Sequence, residues 1–150
     1  MKNKGFTLIE LLVVIALVGV LAGVVIVAIN PATRLAEGRD AGRKSDIGQI
    51  ATGMEAYFTR NQVYPDVVSD LVTSGDLKRE PTDPSTGASY TITPAVESAA
   101  DHAVYAALEA DASAGCSGAT PDAYFCYSTA TGTGVVVCKA SGSTPSATCN

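Results

Sequence analysis

The chain has 150 residues, of which 47% are hydrophobic and 17% charged, and its formal net charge is −5. That length supports one ordinary domain. Residues 61 to 150 hold ten Asp and Glu against only Lys78, Arg79 and Lys139, so this part lacks the basic face that neutralises phosphates, which argues against direct electrostatic binding to nucleic acid.

The apolar excess lies at the other end. From Leu11 to Ile29, nineteen consecutive residues carry no charge and no polar side chain. Counted from Phe6 the run is about 36 Å of α-helix at roughly 1.5 Å per residue, enough to span a bilayer. Lys2 and Lys4 precede it, and Asn30 and Pro31 separate it from Arg34. That asymmetry predicts a cytoplasmic N-terminus with the remainder of the chain outside. A secretory signal peptide has an apolar core of about 7 to 15 residues, and this run is too long for one. Glu10 interrupts the run early, about 6 Å along the helix from Phe6. An acid at the centre of a membrane helix costs about 2.5–3.5 kcal/mol, less toward the interface, so such a group has a partner or snorkels to water.

Met1 to Gly5, followed by Phe6-Thr7-Leu8-Ile9-Glu10-Leu11-Leu12, resembles the leader and cleavage motif of type IV prepilins and pseudopilins. A short basic leader, a Gly before a Phe, a carboxylate four residues on and a long apolar run coincide in it. The resemblance implies that a membrane prepilin peptidase cuts between Gly5 and Phe6 and N-methylates Phe6, and that the helix is retained. Loss of Lys2 and Lys4 then moves the side-chain charge from −5 to −7. It also implies a role for Glu10. In a dry bundle of helices its carboxylate pairs with the Phe6 ammonium of a neighbouring subunit, and a subunit in the wrong axial register leaves both charges unpaired. The implied partners are other copies of the chain, the peptidase, the inner-membrane platform of an assembly machine, and membrane lipid before assembly.

Gly19 and Gly23 form a small-xxx-small pair, which reads as a close-packing helix face. With Pro31 they are also the points where the helix can loosen, as pilin helices do on assembly. Membrane helices are in any case richer in Gly. From Ala32 to about Asn61 the chain stays helix-compatible, with Ile47, Ile50, Met54, Tyr57 and Phe58 recurring on one face as ordinary core. Arg34, Arg39, Asp40, Arg43, Lys44, Asp46 and Glu55 fall on the other faces and read as solvent or subunit-interface charges. The expectation is one helix of roughly 55 residues, kinked or frayed near Pro31.

The Val63–Tyr90 stretch is similar to the post-helix segment of major pseudopilins in Tyr64-Pro65, Val68, Leu71, Leu77, Asp83-Pro84, Gly87 and Tyr90. The residues themselves predict a short helix around Ser69 to Thr73, a turn at Gly75, and a loop punctuated by Pro81 and Pro84. Asp66, Asp70, Asp76 and Asp83 are too irregular for an EF-hand and read as caps and turn residues. Four strands follow, at Ala88 to Thr93, Ala103 to Glu109, Ala123 to Thr129 and Gly134 to Lys139, with a hairpin turn over Thr131 to Gly134.

Cys116, Cys126, Cys138 and Cys149 all lie in this last third, and an even number in an exported region reads as two disulfides. The favoured pairing is Cys116 with Cys126 and Cys138 with Cys149. A hairpin centred on Gly132 instead sets Cys126 opposite Cys138, leaving Cys116 for Cys149. Spacings of ten, twelve and eleven lack the short CxxC pairs of structural zinc sites. His102, the one histidine, reads as a packing or surface residue, and no GxSxG, Walker loop, HExxH or GxGxxG occurs. No catalytic residue, metal or cofactor is expected.

The reading is an α+β chain, type IV pilin-like, with a long helix packed against a small antiparallel sheet. Its divisions are a cytoplasmic leader (1–5), a transmembrane and filament-core helix (6–30), an amphipathic continuation (31–62) and an extracytoplasmic head (63–150). The expected function is that of a structural subunit of a type IV pilus or related fibre, placed in the membrane before assembly and in a surface or periplasmic filament afterwards. A pseudopilin of a secretion or DNA-uptake machine is the close alternative, although the C-terminal region lacks the calcium-binding loop of major secretion pseudopilins. A membrane-tethered binding module is the third.

Overall fold

The structure is a computed structural model that describes residues 5–94, 101–110, 116 and 121–149. Lys2 and Lys4 of the leader lie outside the described residues. The chain divides into two compact units, residues 1–35 and 36–150.

The first unit is helical. Helix α1 spans Leu8–Ile29, and α2 begins at Pro31 and continues to Asn61 in the second unit. The separation between the helices follows from Pro31, which has no N–H and disfavours helical backbone in the residue before it. Asn30 takes the left-handed conformation at φ 46°, and Pro31 occupies the first position of α2, where a missing N–H costs nothing. The long helix, expected to kink or fray near Pro31, is interrupted there, and the break falls on Asn30. The backbone is helical through Gly19 and Gly23.

The second unit is a sheet with helices on one face and the chain's tail on the other. Strands β1 (Thr91–Pro94), β2 (His102–Ala107), β3 (Pro121–Ser128) and β4 (Thr133–Ala140) form an antiparallel sheet in the order β1-β2-β3-β4. All four expected strands form. The β3–β4 hairpin turns through residues 129–132, where Gly132 supplies φ +65° and donates its N–H to the Ser128 carbonyl at 2.9 Å.

On the helix-bearing face, Ile92, Val104 and Ala106 meet Ile47, Ile50 and Met54 of α2 and Val68 and Leu71 of α3 (Val68–Thr73). Tyr57, Tyr64, Phe125 and Tyr127 pack around this cluster. Phe58, expected in the core, is half-buried and stacks on Tyr64 with ring centroids 4.4 Å apart. Phe125 lies over Gly134, where a Cβ would come within 2.6 Å of the ring, so only glycine fits beneath it.

The other face carries a smaller cluster of Ala103, Cys126, Ala147 and Cys149. Ser128 donates its hydroxyl to the Ala147 carbonyl at 2.8 Å and helps to hold the tail down. The disulfides are Cys116–Cys138 and Cys126–Cys149, which corrects both pairings expected from the sequence. The reason is strand register. Cys126 pairs across the hairpin with Val135, and Cys138 with Ala123. Three residues separate Val135 from Cys138, and an odd step along a strand changes face. Cys126 therefore meets the tail on one face, and Cys138 meets Cys116 from the other.

Candidate assembly site

Helix α1 presents an apolar surface with one charge, Glu10, embedded in it. Every residue from Gly5 to Ile26 is exposed, among them fifteen large apolar side chains from Phe6 to Ile26. At about 1.5–3 kcal/mol for each side chain removed from water, covering them is worth tens of kcal/mol. That exceeds the roughly 5–15 kcal/mol stability of a typical domain, so lipid or protein must cover this helix. Leu8–Ile26 is long and apolar enough to cross a membrane, with a mean hydropathy of 3.0.

Thr7 and Glu10 form a capping box at the start of α1. The Glu10 amide donates to Thr7 Oγ1 at 3.3 Å. In return the Thr7 amide and hydroxyl donate to Glu10 Oε2 at 3.1 and 2.8 Å. One carboxylate oxygen is thus engaged at the helix N-terminus, where the macrodipole also favours an anion. The sequence carries the signal in its Thr-x-x-Glu spacing, but reading Glu10 as a lone charge in an apolar run passes over it. Phe6 projects beside this cap with 82% of its surface exposed. Gly5 precedes it, with open space where a Cβ would stand, and Gly19 and Gly23 are likewise unobstructed.

A second ionic arrangement stands where the sequence suggests solvent or subunit-interface charges. Asp40 and Arg43 lie one turn apart on α2 and are both buried. Arg43 reaches Asp83 with two nitrogens (Nε to Oδ2 2.6 Å, Nη2 to Oδ1 3.3 Å), Asp40 with Nη1 at 2.7 Å, and Glu109 with Nη2 at 2.6 Å. Arg39 pairs with Glu109 from the outside. Asp40 also accepts the amides of Glu109 (2.9 Å) and Ala110 (2.6 Å). This correction has a physical cause: the turn after Pro81 and the end of β2 both fold onto α2, so residues forty and more positions away bury its charges.

Asp83 has the turn role expected of it, accepting the Ser85 and Thr86 amides at 2.9 Å each, with Gly87 at φ +70° completing the turn. The Arg43 guanidinium holds Asp83 far below the usual carboxylate range. Hydrogen bonds from Arg39, Ser85 and Arg43 bring Glu109 down to about 2. Burial pushes Asp40 up, but its two amide donors and Arg43 outweigh this and leave it lowered.

Glu55 accepts the hydroxyls of Tyr64 (3.2 Å) and Tyr127 (3.1 Å). Burial, reinforced by the Glu55 charge, raises Tyr127 to about 12. His102 is buried at the start of β2 with its ring 5.3 Å from that of Tyr64, as a packing residue is. Among the described residues its Nδ1 has no hydrogen-bond partner. Burial lowers its pKa, opposed by Asp66 and Asp101. Among the described residues no group of three His, Cys, Asp or Glu is placed to hold a metal ion.

The prokaryotic N-terminal methylation motif matches residues 1–26 of the chain. The type IV major pilin protein PilA of Myxococcus xanthus (strain DK1622) is 30% identical over 70 residues, which cover 47% of this chain. The match extends over 31% of that pilin, so the chain aligns with about a third of the relative's length. No solved structure matches.

Proposed function

We propose that this chain is a structural subunit of a type IV pilus or related fibre, processed after Gly5 and polymerised through α1. The observation that carries this reading is a fully exposed apolar helix with one capped carboxylate, Glu10, directly behind the Gly5–Phe6 junction of a methylation motif. A plain anchor needs the apolar length but has no use for a buried charge at a fixed position. A fibre does: each subunit brings one Phe6 ammonium and one Glu10 carboxylate, and only one axial register pairs them. The subunit waits in the membrane with its N-terminus cytoplasmic and its head outside, and a prepilin peptidase and an inner-membrane platform act on it in turn.

Intact mass of the protein isolated from cells tests the processing. The expected species lacks residues 1 to 5 and carries one methyl group on the amine of Phe6. A full-length, unmethylated chain as the only form contradicts the proposal.

A further inference from the structure

Assembly through α1 leaves open how acidic heads stack on one another. Without residues 1 to 5 the side-chain charge is −7, so neighbouring copies repel unless opposite charges are placed between them. A location on the head suits this. A groove of about 760 Å³ runs between α2 and the turn that follows α3, floored by Gly48, Thr52 and Ala56 and edged by Lys78 and Arg79. Both bases are exposed, and among the described residues neither has an ion-pair partner. Asp76, the acid in the groove wall, is already engaged by Arg60 and by the Ser74 hydroxyl. The groove therefore offers two cations to an incoming acid.

A complementary surface lies beyond the end of α2. The corner of chain at residues 63–67 exposes Val63 (56%) and Val67 (49%) with Asp66 between them. Asp101 precedes His102 in the chain, and the His102 ring lies 5.3 Å from that of Tyr64, two residues before Asp66, so Asp101 borders the same corner. Neither carboxylate accepts a hydrogen bond among the described residues. The groove follows α2 from Ser45 to Ala56, whereas this corner comes after the helix has ended at Asn61. From mid-groove to the helix end is about 16 Å at 1.5 Å per residue, so a copy cannot seat its own corner in its own groove.

We propose that the groove edged by Lys78 and Arg79 receives the Val63–Val67 corner of a second copy, with Asp66 and Asp101 meeting the two bases. Two different patches make the contact heterologous, and such a contact propagates along a fibre instead of closing into a dimer. The inference rests on the fibre reading above and specifies which head surfaces meet in it.

Carbodiimide treatment of fibres sheared from cells joins amines to carboxylates already in contact. The expected product is a covalent dimer in which Lys78 is linked to Asp66 or Asp101. Charge reversal supplies the second arm. Lys78→Glu with Arg79→Glu, and separately Asp66→Lys with Asp101→Lys, should each lower fibre yield by about tenfold, because like charges then face each other. The fourfold variant should return to within about twofold of the unmodified protein. Peptide mapping that finds both disulfides intact certifies the folded head. Fibres that lack the crosslink and are indifferent to the reversals, or a fourfold variant no better than its parents, overturn the docking contact while leaving the fibre reading in place. Absence of fibres from the unmodified chain overturns the fibre reading and removes the premise of this one.

Discussion

Replacing Arg43 with Met should lower the unfolding free energy of the head by about 3–5 kcal/mol, the usual loss when one partner of a buried ionic group is removed. Arg43 is only 3% exposed and satisfies three carboxylates at once. Asp40 and Asp83 keep their backbone amide donors in the variant, which sets the loss nearer the lower figure. Against a total of roughly 5–15 kcal/mol, that leaves a marginal head. Urea unfolding of the full chain in detergent, followed by near-ultraviolet circular dichroism of the tyrosines, measures it. A midpoint unchanged by the substitution would mean that the network contributes nothing. Arg43→Lys should recover only part of the loss, because an ammonium cannot engage Asp83 with two nitrogens.

The same network fixes the acid response. Asp83 and Glu109 titrate lower in the folded head than in the unfolded chain. Their contribution is complete above the unfolded values near pH 4 and is lost as the pH falls from there toward about 2. His102, lowered by burial, adds a smaller loss of the same sign that begins below about pH 6.5, where the unfolded histidine takes up a proton more readily. Arg43→Met should remove most of the step below pH 4 and leave the one near neutrality.

The second large effect concerns assembly. Glu10→Ala should leave the helix inserted in the membrane, since it deletes the one charge in the apolar run. Incorporation into fibres should fall by roughly a hundredfold or more, because the neighbour's Phe6 ammonium would then be buried without a counter-charge, at a cost of about 3–5 kcal/mol. Quantifying the chain in sheared fibres and in membranes separates the two effects. Equal fibre content in variant and parent would reject the ion pair and reduce Glu10 to its local role in the capping box of α1.

Much of this architecture was legible in the sequence because its signals are local. Ile47, Ile50 and Met54 recur at helical spacing and are fully buried, and the four strands form where alternation placed them, although the hairpin turns through residues 129–132, earlier than the expected Thr131 to Gly134. Contacts across long sequence distances were not legible. Asp40 and Arg43 look like surface charges until Asp83 and Glu109 fold over them, and nothing in the spacing of forty or more residues announces that. The disulfides failed for a narrower reason: moving a hairpin centre by one or two residues decides whether Cys126 and Cys138 share a face. At the N-terminus the Thr7-x-x-Glu10 spacing already encodes the capping box that engages the carboxylate, a local signal distinct from the apolar run around it.

Electron cryomicroscopy of fibres sheared from cells tests the claim that α1 serves as the core of a fibre and not merely as an anchor. The expected result is a helical array of this chain with the residues after Gly5 bundled along the axis and each Glu10 within ion-pair distance of a neighbouring Phe6 amine. Recovery of the chain solely as dispersed monomers in the membrane fraction, with no fibre containing it, would contradict the claim.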